Sequence, residues 1–172
     1  GCPSWYFANR DAKGYYRTFY QDQKNLATLT DVAEKALSTP ERIALLEDTW
    51  AMTRAGRYPI GISMHLFEAL RSDHQPIIVG SIYGHLRYAE RLLTPEQEQK
   101  FRTFVRSQYS SLAQEVGWEP RSTDTDEQKQ LRASLLSILG EAGDPDAVAR
   151  EERIGLGAVA TGHVREPTRP AA

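Results

Sequence analysis

The segment TPEQEQKFRTFVRSQYSSLAQEVGW, residues 94–118, leaves the chain little choice of local fold. Thr94 followed three residues later by Gln97 is a capping box, and Pro95 stands at the first helical position, where its missing N–H is not needed. Phe101, Val105, Tyr109, Leu112 and Val116 then recur at three- or four-residue spacing, which puts them on one helical face. Gly117 supplies the left-handed stop.

The same punctuation runs along most of the chain. Leu26, Leu29, Val32, Ala33, Ala36 and Leu37 recur with helical period. STPERIALLEDTWAMTRAG opens with Ser38 and Glu41 in capping-box register, or with Thr39 as cap and Pro40 first in the helix, and closes at Gly56. Its apolar stripe is Ile43, Leu46 and Trp50. A third helix is expected over residues 60–72, with Ile62, Leu66, Ala69 and Leu70 inward. A fourth starts near Pro76 and carries Val79, Ile82, Tyr83, Leu86 and Leu93. After the helix from Thr94, the polar stretch 119–128 reads as a loop. Leu131, Leu135 and Ile138 mark a sixth helix ending at Gly140 or Gly143. Asp144–Pro145 starts a seventh, running to about Ile154, and the remaining tail with its two late prolines is expected to fray.

Seven amphipathic helices with short connections predict an all-α fold of antiparallel helix pairs, in a bundle or in a curved stack of the HEAT or armadillo type. No strict repeat of fixed period is visible. At 172 residues the chain is long enough for one well-buried domain. Its net charge of -2 gives no footprint for nucleic acid or an anionic membrane. No apolar run approaches the roughly 20 residues that span a bilayer.

The first twenty residues break this pattern. SWYFA (4–8) and GYYRTFY (14–20) carry aromatic and β-branched residues that favour strands, and NRDAKG between them has turn chemistry in Asn9, Asp11 and Gly14. Alternation puts Trp5 and Phe7 on one face with Tyr6 on the other, then Tyr15 and Phe19 opposite Tyr16 and Tyr20. A hairpin with two aromatic faces is marginal alone and sticky at its edges. The expectation is therefore a β-hairpin over residues 1–20 left from an upstream β domain, then a helical domain over 21–157 and a frayed tail over 158–172. A chain that opens on Gly1 instead of methionine fits the same expectation of a piece cut from something longer.

The search for chemistry finds little. There is no H-E-x-x-H, no glycine-rich phosphate loop and no G-x-S-x-G elbow. His65 and Glu68 stand three apart on one helix, a spacing able to bring both to a metal; the plainer reading is a boundary histidine beside an ordinary helix glutamate. His74 and His85 lie eleven apart, but Pro76 separates their elements. Glu47 and Asp48 are neighbours pointing about 100° apart, so they do not face each other as an acid–base pair. Cys2, the single cysteine, excludes an internal disulfide and has no histidine beside it in sequence to activate it. No residue is assigned as catalytic, cofactor-binding or metal-binding.

NRDAKGYYRTFY resembles the N-x(4)-G-Y-Y-R-x-x-Y signature of the aminopeptidase N-like zinc metallopeptidases, the gluzincin aminopeptidases, through Asn9, Gly14, Tyr15, Tyr16, Arg17 and Tyr20. RIALLEDTWAMTRAG is similar to the next landmark of that family through Arg42, Leu45, Asp48, Trp50 and Gly56. LRASLLSILGEAGDPD resembles a later one through Leu131, Arg132, Gly143 and Asp144. Thr18 and Phe19 stand where Val-Asn is usual, and Gln21 where an acidic residue often follows.

The resemblance implies a zinc-dependent aminopeptidase whose two His and Glu ligands, water-activating Glu and amine-binding loop all belong to a catalytic domain outside this chain. It implies that this chain is the non-catalytic C-terminal helical region, a wall or lid that limits access of peptide N-termini. Its expected partners are the catalytic and β-sandwich domains of the same polypeptide and the peptide substrate. The isolated chain carries an aromatic scar able to drive dimerisation through strand edges. Two other readings stay open: a free-standing helical-repeat module that binds a protein or peptide, and a small metalloenzyme built on His65 and Glu68. The compartment is not readable.

Overall fold

Seven α-helices form where capping and periodicity place them. The computed structural model describes residues 3–160, with side chains as far as Ile154. The helices are α1 (Gln23–Ala36), α2 (Thr39–Arg54), α3 (Ile60–Ala69), α4 (Pro76–Glu90), α5 (Pro95–Val116), α6 (Asp126–Glu141) and α7 (Pro145–Ala160). Capping boxes open α2 at Ser38/Glu41 and α5 at Thr94/Gln97, as the sequence predicts. A third opens α6, where the Thr125 amide donates to Gln128 and the Gln128 amide donates back to the Thr125 hydroxyl. That box lies inside the stretch expected to be loop, so α6 begins at Asp126. Helix α7 continues to Ala160, beyond the expected end near Ile154. Residues 161–172, which include most of the expected tail, and Cys2 lie outside the described residues.

The core is the sum of the inward stripes. Leu26 and Leu29 of α1, Leu45 and Leu46 of α2, Leu66 of α3, Ile78, Ile82 and Leu86 of α4, Tyr109 of α5, and Leu131 and Leu135 of α6 are all essentially inaccessible. Truncating one such leucine to alanine costs on the order of 2–5 kcal/mol. Helix α1 packs on α3, α2 on α3 and α4, α4 on α6, and α6 on both α5 and α7.

Helix C-termini leave carbonyls without intrahelical donors, and here three arginines from other helices reach them. Arg42 of α2 donates to the Leu37 carbonyl at the end of α1 (2.7 Å) and pairs with buried Asp73 (2.7 Å). Arg132 of α6 donates to the Gly117 carbonyl at the end of α5 (2.8 Å) and pairs with Asp124 (2.8 Å). Arg106 of α5 donates to the Ala142 carbonyl at the end of α6 (2.6 Å). Each contact places positive charge at the negative end of a helix dipole and fixes one helix against another. The Asp124 carboxyl is held below the usual carboxylate range, first by the Arg121 amide and then by Arg132.

The N-terminal segment differs from expectation. Among the described residues there is no strand, so the strands expected over 4–8 and 14–20 do not pair as a hairpin. A single 3-10 turn, Arg10–Ala12, packs on α2 instead. The physical reason is where the backbone hydrogen bonds go. The Tyr6 amide donates to Asn25 Oδ1 (2.8 Å), Thr18 to Asp48 Oδ2 (2.8 Å) and Tyr20 to the Tyr58 hydroxyl (2.8 Å). Side chains of the helical part take the place that a ladder would fill.

Gly143 ends α6 with φ 74°. The Asp144 amide closes the turn on the Leu139 carbonyl (2.9 Å), while the Asp144 carboxylate accepts from the Ala147 amide at the start of α7 (3.1 Å). An L-side chain is strained at that φ. Gly143→Ala is therefore expected to destabilise the fold by about 1 kcal/mol, read as a lower urea midpoint at unchanged slope.

Candidate functional site

Asp48 stands six residues before the end of α2 and faces inward, 7% exposed. Its Oδ2 accepts the Thr18 amide and its Oδ1 pairs with the Arg17 guanidinium at 3.2 Å. Around it, the segment 5–22 docks on the helices through a set of one-to-one contacts. Asn9 brackets Gly14: the Gly14 amide donates to Asn9 Oδ1 (2.7 Å) and Asn9 Nδ2 donates to the Gly14 carbonyl (3.1 Å). Asn25 serves both polar groups of Tyr6, accepting from its amide and donating to its carbonyl (3.3 Å). The Tyr58 hydroxyl does the same for Tyr20, accepting from the amide and donating to the carbonyl (3.0 Å). The Tyr20 hydroxyl in turn accepts from the Ala8 amide (3.1 Å). Burial pushes the Tyr20 phenol up to about 12 and raises that of Tyr58, so both stay protonated through the neutral range.

A groove of about 730 Å³ opens beside this junction, between the segment and helices α2 and α4. Tyr15, Tyr16, Ile43 and Ile77 give it an apolar lining, and Glu47 and Asp48 also line it. Tyr15 is fully exposed, and Tyr16 and Ile77 are more than half exposed.

Glu47, one residue before Asp48, points to α4. It accepts from Ser81 and meets His85 Nε2 at 3.0 Å. The His85 ring is stacked on Trp50, 4.8 Å between centroids, with Phe67 at 6.0 Å. Ser, His and Glu thus come together, but in the wrong order for hydrolysis. A nucleophilic serine gives its proton to histidine, which a carboxylate orients; here the serine donates to the carboxylate itself. The cluster binds α2 to α4.

The remaining candidates separate. His65 pairs with Asp31 of α1 at 3.1 Å, whereas Glu68 pairs with Arg71. His74 pairs with Glu115 of α5 and His85 with Glu47, so the two histidines do not converge. Among the described residues no group of three or more His, Cys, Asp and Glu is arranged to hold a metal ion. The described residues therefore do not fit a zinc site. The sequence leads one to expect one of Glu47 and Asp48 to bond a neighbouring loop or cap and the other to be solvated; both are engaged. Asn25 and Tyr58 stand in no motif. A tyrosine just after the Gly56 stop carries no local signal of its distant partner, Tyr20.

These features define an all-helical domain whose charged and hydrogen-bonding side chains hold its own elements together. Residues 5–160 match the profile of the family described as the ERAP1-like C-terminal domain, and the chain belongs to that family. It is 24% identical over 152 residues to Aminopeptidase M1-D of Oryza sativa subsp. japonica, covering 87% of this chain and 17% of that protein. It is 26% identical over 144 residues to Aminopeptidase 2 of Candida albicans, covering 82% and 16%. Glutamyl aminopeptidase of Homo sapiens is 22% identical over 144 residues, covering 81% and 15%. The chain thus spans about one-sixth of the length of the curated relatives it matches. The family is that of a C-terminal domain, and these relatives are aminopeptidases.

Two measurements follow from this geometry. Asp48→Ala leaves the Thr18 amide and Arg17 without their acceptor and is expected to cost about 2 kcal/mol in chemical denaturation; Arg17→Met, which removes a half-exposed guanidinium, is expected to cost under about 1 kcal/mol. Glu47 is held below its ordinary 4.5, first by the His85 hydrogen bond and then, against burial, by Ser81. A carboxyl lowered in the folded state contributes stability above its unfolded value and loses it as pH falls through the folded value. The drop in urea midpoint between about pH 6 and about pH 3 is thus expected to be smaller in Glu47→Gln than in the native chain.

Proposed function

We propose that this chain is the non-catalytic C-terminal region of a zinc-dependent aminopeptidase, where it walls the active site and limits which peptide N-termini can enter. The observation that carries the reading is the family match over residues 5–160 in a chain only about one-sixth as long as its aminopeptidase relatives. The zinc ligands and the chemistry the metal supplies, activation of a water, belong to the rest of the polypeptide in this reading. In this reading residues 1–20 adjoin an upstream β-sandwich and the helical domain follows from residue 21. The contacts α1–α3, α2–α4 and α4–α6, each skipping one helix, support a HEAT-like curved stack. Such a stack presents a concave face to a neighbouring domain, and that face is the wall.

The test compares hydrolysis of an aminoacyl anilide and of a long peptide by the full polypeptide, by the same polypeptide without residues 21–172, and by this chain alone. The chain alone is expected to turn over neither substrate. Removing residues 21–172 is expected to change the ratio of peptide to anilide kcat/KM. Turnover by the chain alone, or an unchanged ratio in a folded truncation, overturns the reading. A chain that instead retains a protein partner with no peptidase region in it would be a free-standing binding module.

A further inference from the structure

The sequence changes character between Tyr20 and Gln21, from aromatic alternation to helix, but the structure has no joint there. Tyr20 is 3% exposed, and the Tyr58 hydroxyl holds both its amide and its carbonyl. Two residues on, Asp22 caps α1 by accepting the Lys24 and Asn25 amides at 2.9 and 3.2 Å. Gln21 alone stands between these fixed points. A hinge needs a few residues free to change φ and ψ, and one residue between two anchored ones cannot swing. The rest of the segment is tied down as well. The Tyr6 amide and carbonyl go to Asn25 of α1, and the Thr18 amide to Asp48 of α2. Glu41 accepts the Asp11 amide (3.0 Å) with the carboxylate that also closes the capping box of α2, and these two backbone donors hold its carboxyl below the ordinary range. The two arms are joined to each other, Ala8 donating to the Tyr20 hydroxyl and accepting from that of Tyr16 (2.9 Å). Trp5 and Phe7 pack on the core, of which Tyr20 is a member. Pro3 and Ser4, by contrast, are exposed, and the first of these anchoring bonds is that of Tyr6.

We propose that residues 6–22 are a rigid coupling: they form one cooperative unit with the helical body, and movement between that body and a preceding domain takes place N-terminal to Tyr6, not at Tyr20–Gln21. The anchors Asn25, Glu41, Asp48 and Tyr58 are spread over α1, α2 and the turn after α2. The segment cannot lift from one of them without straining the next, so its release is tied to the opening of the helices themselves. In an extended segment successive residues turn their N–H and C=O to opposite sides. The inward groups of Tyr6, Thr18 and Tyr20 are taken by the body, so a strand paired at Phe7, Arg17 and Phe19 displaces none of these contacts. A sheet that pairs there is carried by the helices as one piece with them. The mechanical boundary of the helical domain therefore lies well before the compositional one. The consequence for a preceding domain rests on the aminopeptidase reading; the cooperativity of segment and body does not.

The experiment is native-state amide exchange of the chain, followed by NMR over a series of low urea concentrations. The Thr18 and Tyr20 amides are expected to exchange only through the opening that frees Leu45 and Leu46 of α2, with the same urea dependence and with protection within about tenfold of theirs. Tyr58→Phe removes the hydroxyl that serves Tyr20 and keeps the ring. It is expected to speed exchange at Thr18 and at Leu46 by a common factor of about tenfold. Exchange of the segment at a smaller urea slope than α2 overturns the proposal, as does a variant in which Thr18 speeds up and Leu46 does not. The segment would then be a strap that lifts from an intact body. If Tyr58→Phe does not fold, the urea dependence in the unsubstituted chain decides alone. The same exchange, followed by mass spectrometry on the full polypeptide, locates the hinge. Protection across residues 18–26 equal to that of α2 is expected, and rapid exchange there overturns the placement. A full polypeptide without aminopeptidase activity would end that reading, while protection of the segment in it still supports the coupling.

Discussion

A backbone without a regular ladder must still have its buried donors met, and Asp48 is where this protein meets that demand. The carboxylate is one of few charged groups turned inward on α2. It earns that position by accepting an amide and pairing a guanidinium from a segment about thirty residues away in sequence. Unpaired, it would be a buried charge of the costly kind; paired, it fixes the path of residues 17–20 over α2. Asn25 and Tyr58 extend the same solution to either side. The N-terminal segment thus behaves as part of the helical body, though in sequence it reads as part of something else.

The arginine contacts solve the complementary problem. Carbonyls at the ends of α1, α5 and α6 need donors, and Arg42, Arg132 and Arg106 provide them from neighbouring helices. A planar guanidinium has several donors in fixed geometry, so one side chain can reach a carbonyl and a carboxylate together. Arg42 does so with Leu37 and Asp73, and Arg132 with Gly117 and Asp124. A lysine at either position has one ammonium and cannot hold the same fork. Helix ends and helix packing are therefore coupled: loosening one interface strips the cap from another helix.

The helices were legible because their signals are local. Ser38 with Glu41, Thr94 with Gln97, and Gly117 and Gly143 are read within one turn of the residues they act on. The start of α6 was equally legible in Thr125 and Gln128, and the acidic surroundings hid it. The N-terminal segment was not. Its aromatic alternation is that of a strand, and the alternation of its amides agrees. Whether a strand pairs with another strand or with side chains depends on residues about twenty to forty positions away, which no local pattern reports. The same holds for Glu47: its bonds to Ser81 and His85 depend on α4 crossing α2.

The three family landmarks become intelligible on this footing. Asn9 and Gly14 form a turn, Arg17 and Asp48 a clamp, Arg42 a cap, Arg132 another, and Gly143 with Asp144 ends one helix and starts the next. Tyr20 carries two of the junction's contacts. Nearly all of these residues sit where two elements meet. Joints tolerate less change than surfaces, because each must satisfy specific donors and acceptors at fixed distance. A signature made of joints identifies a fold.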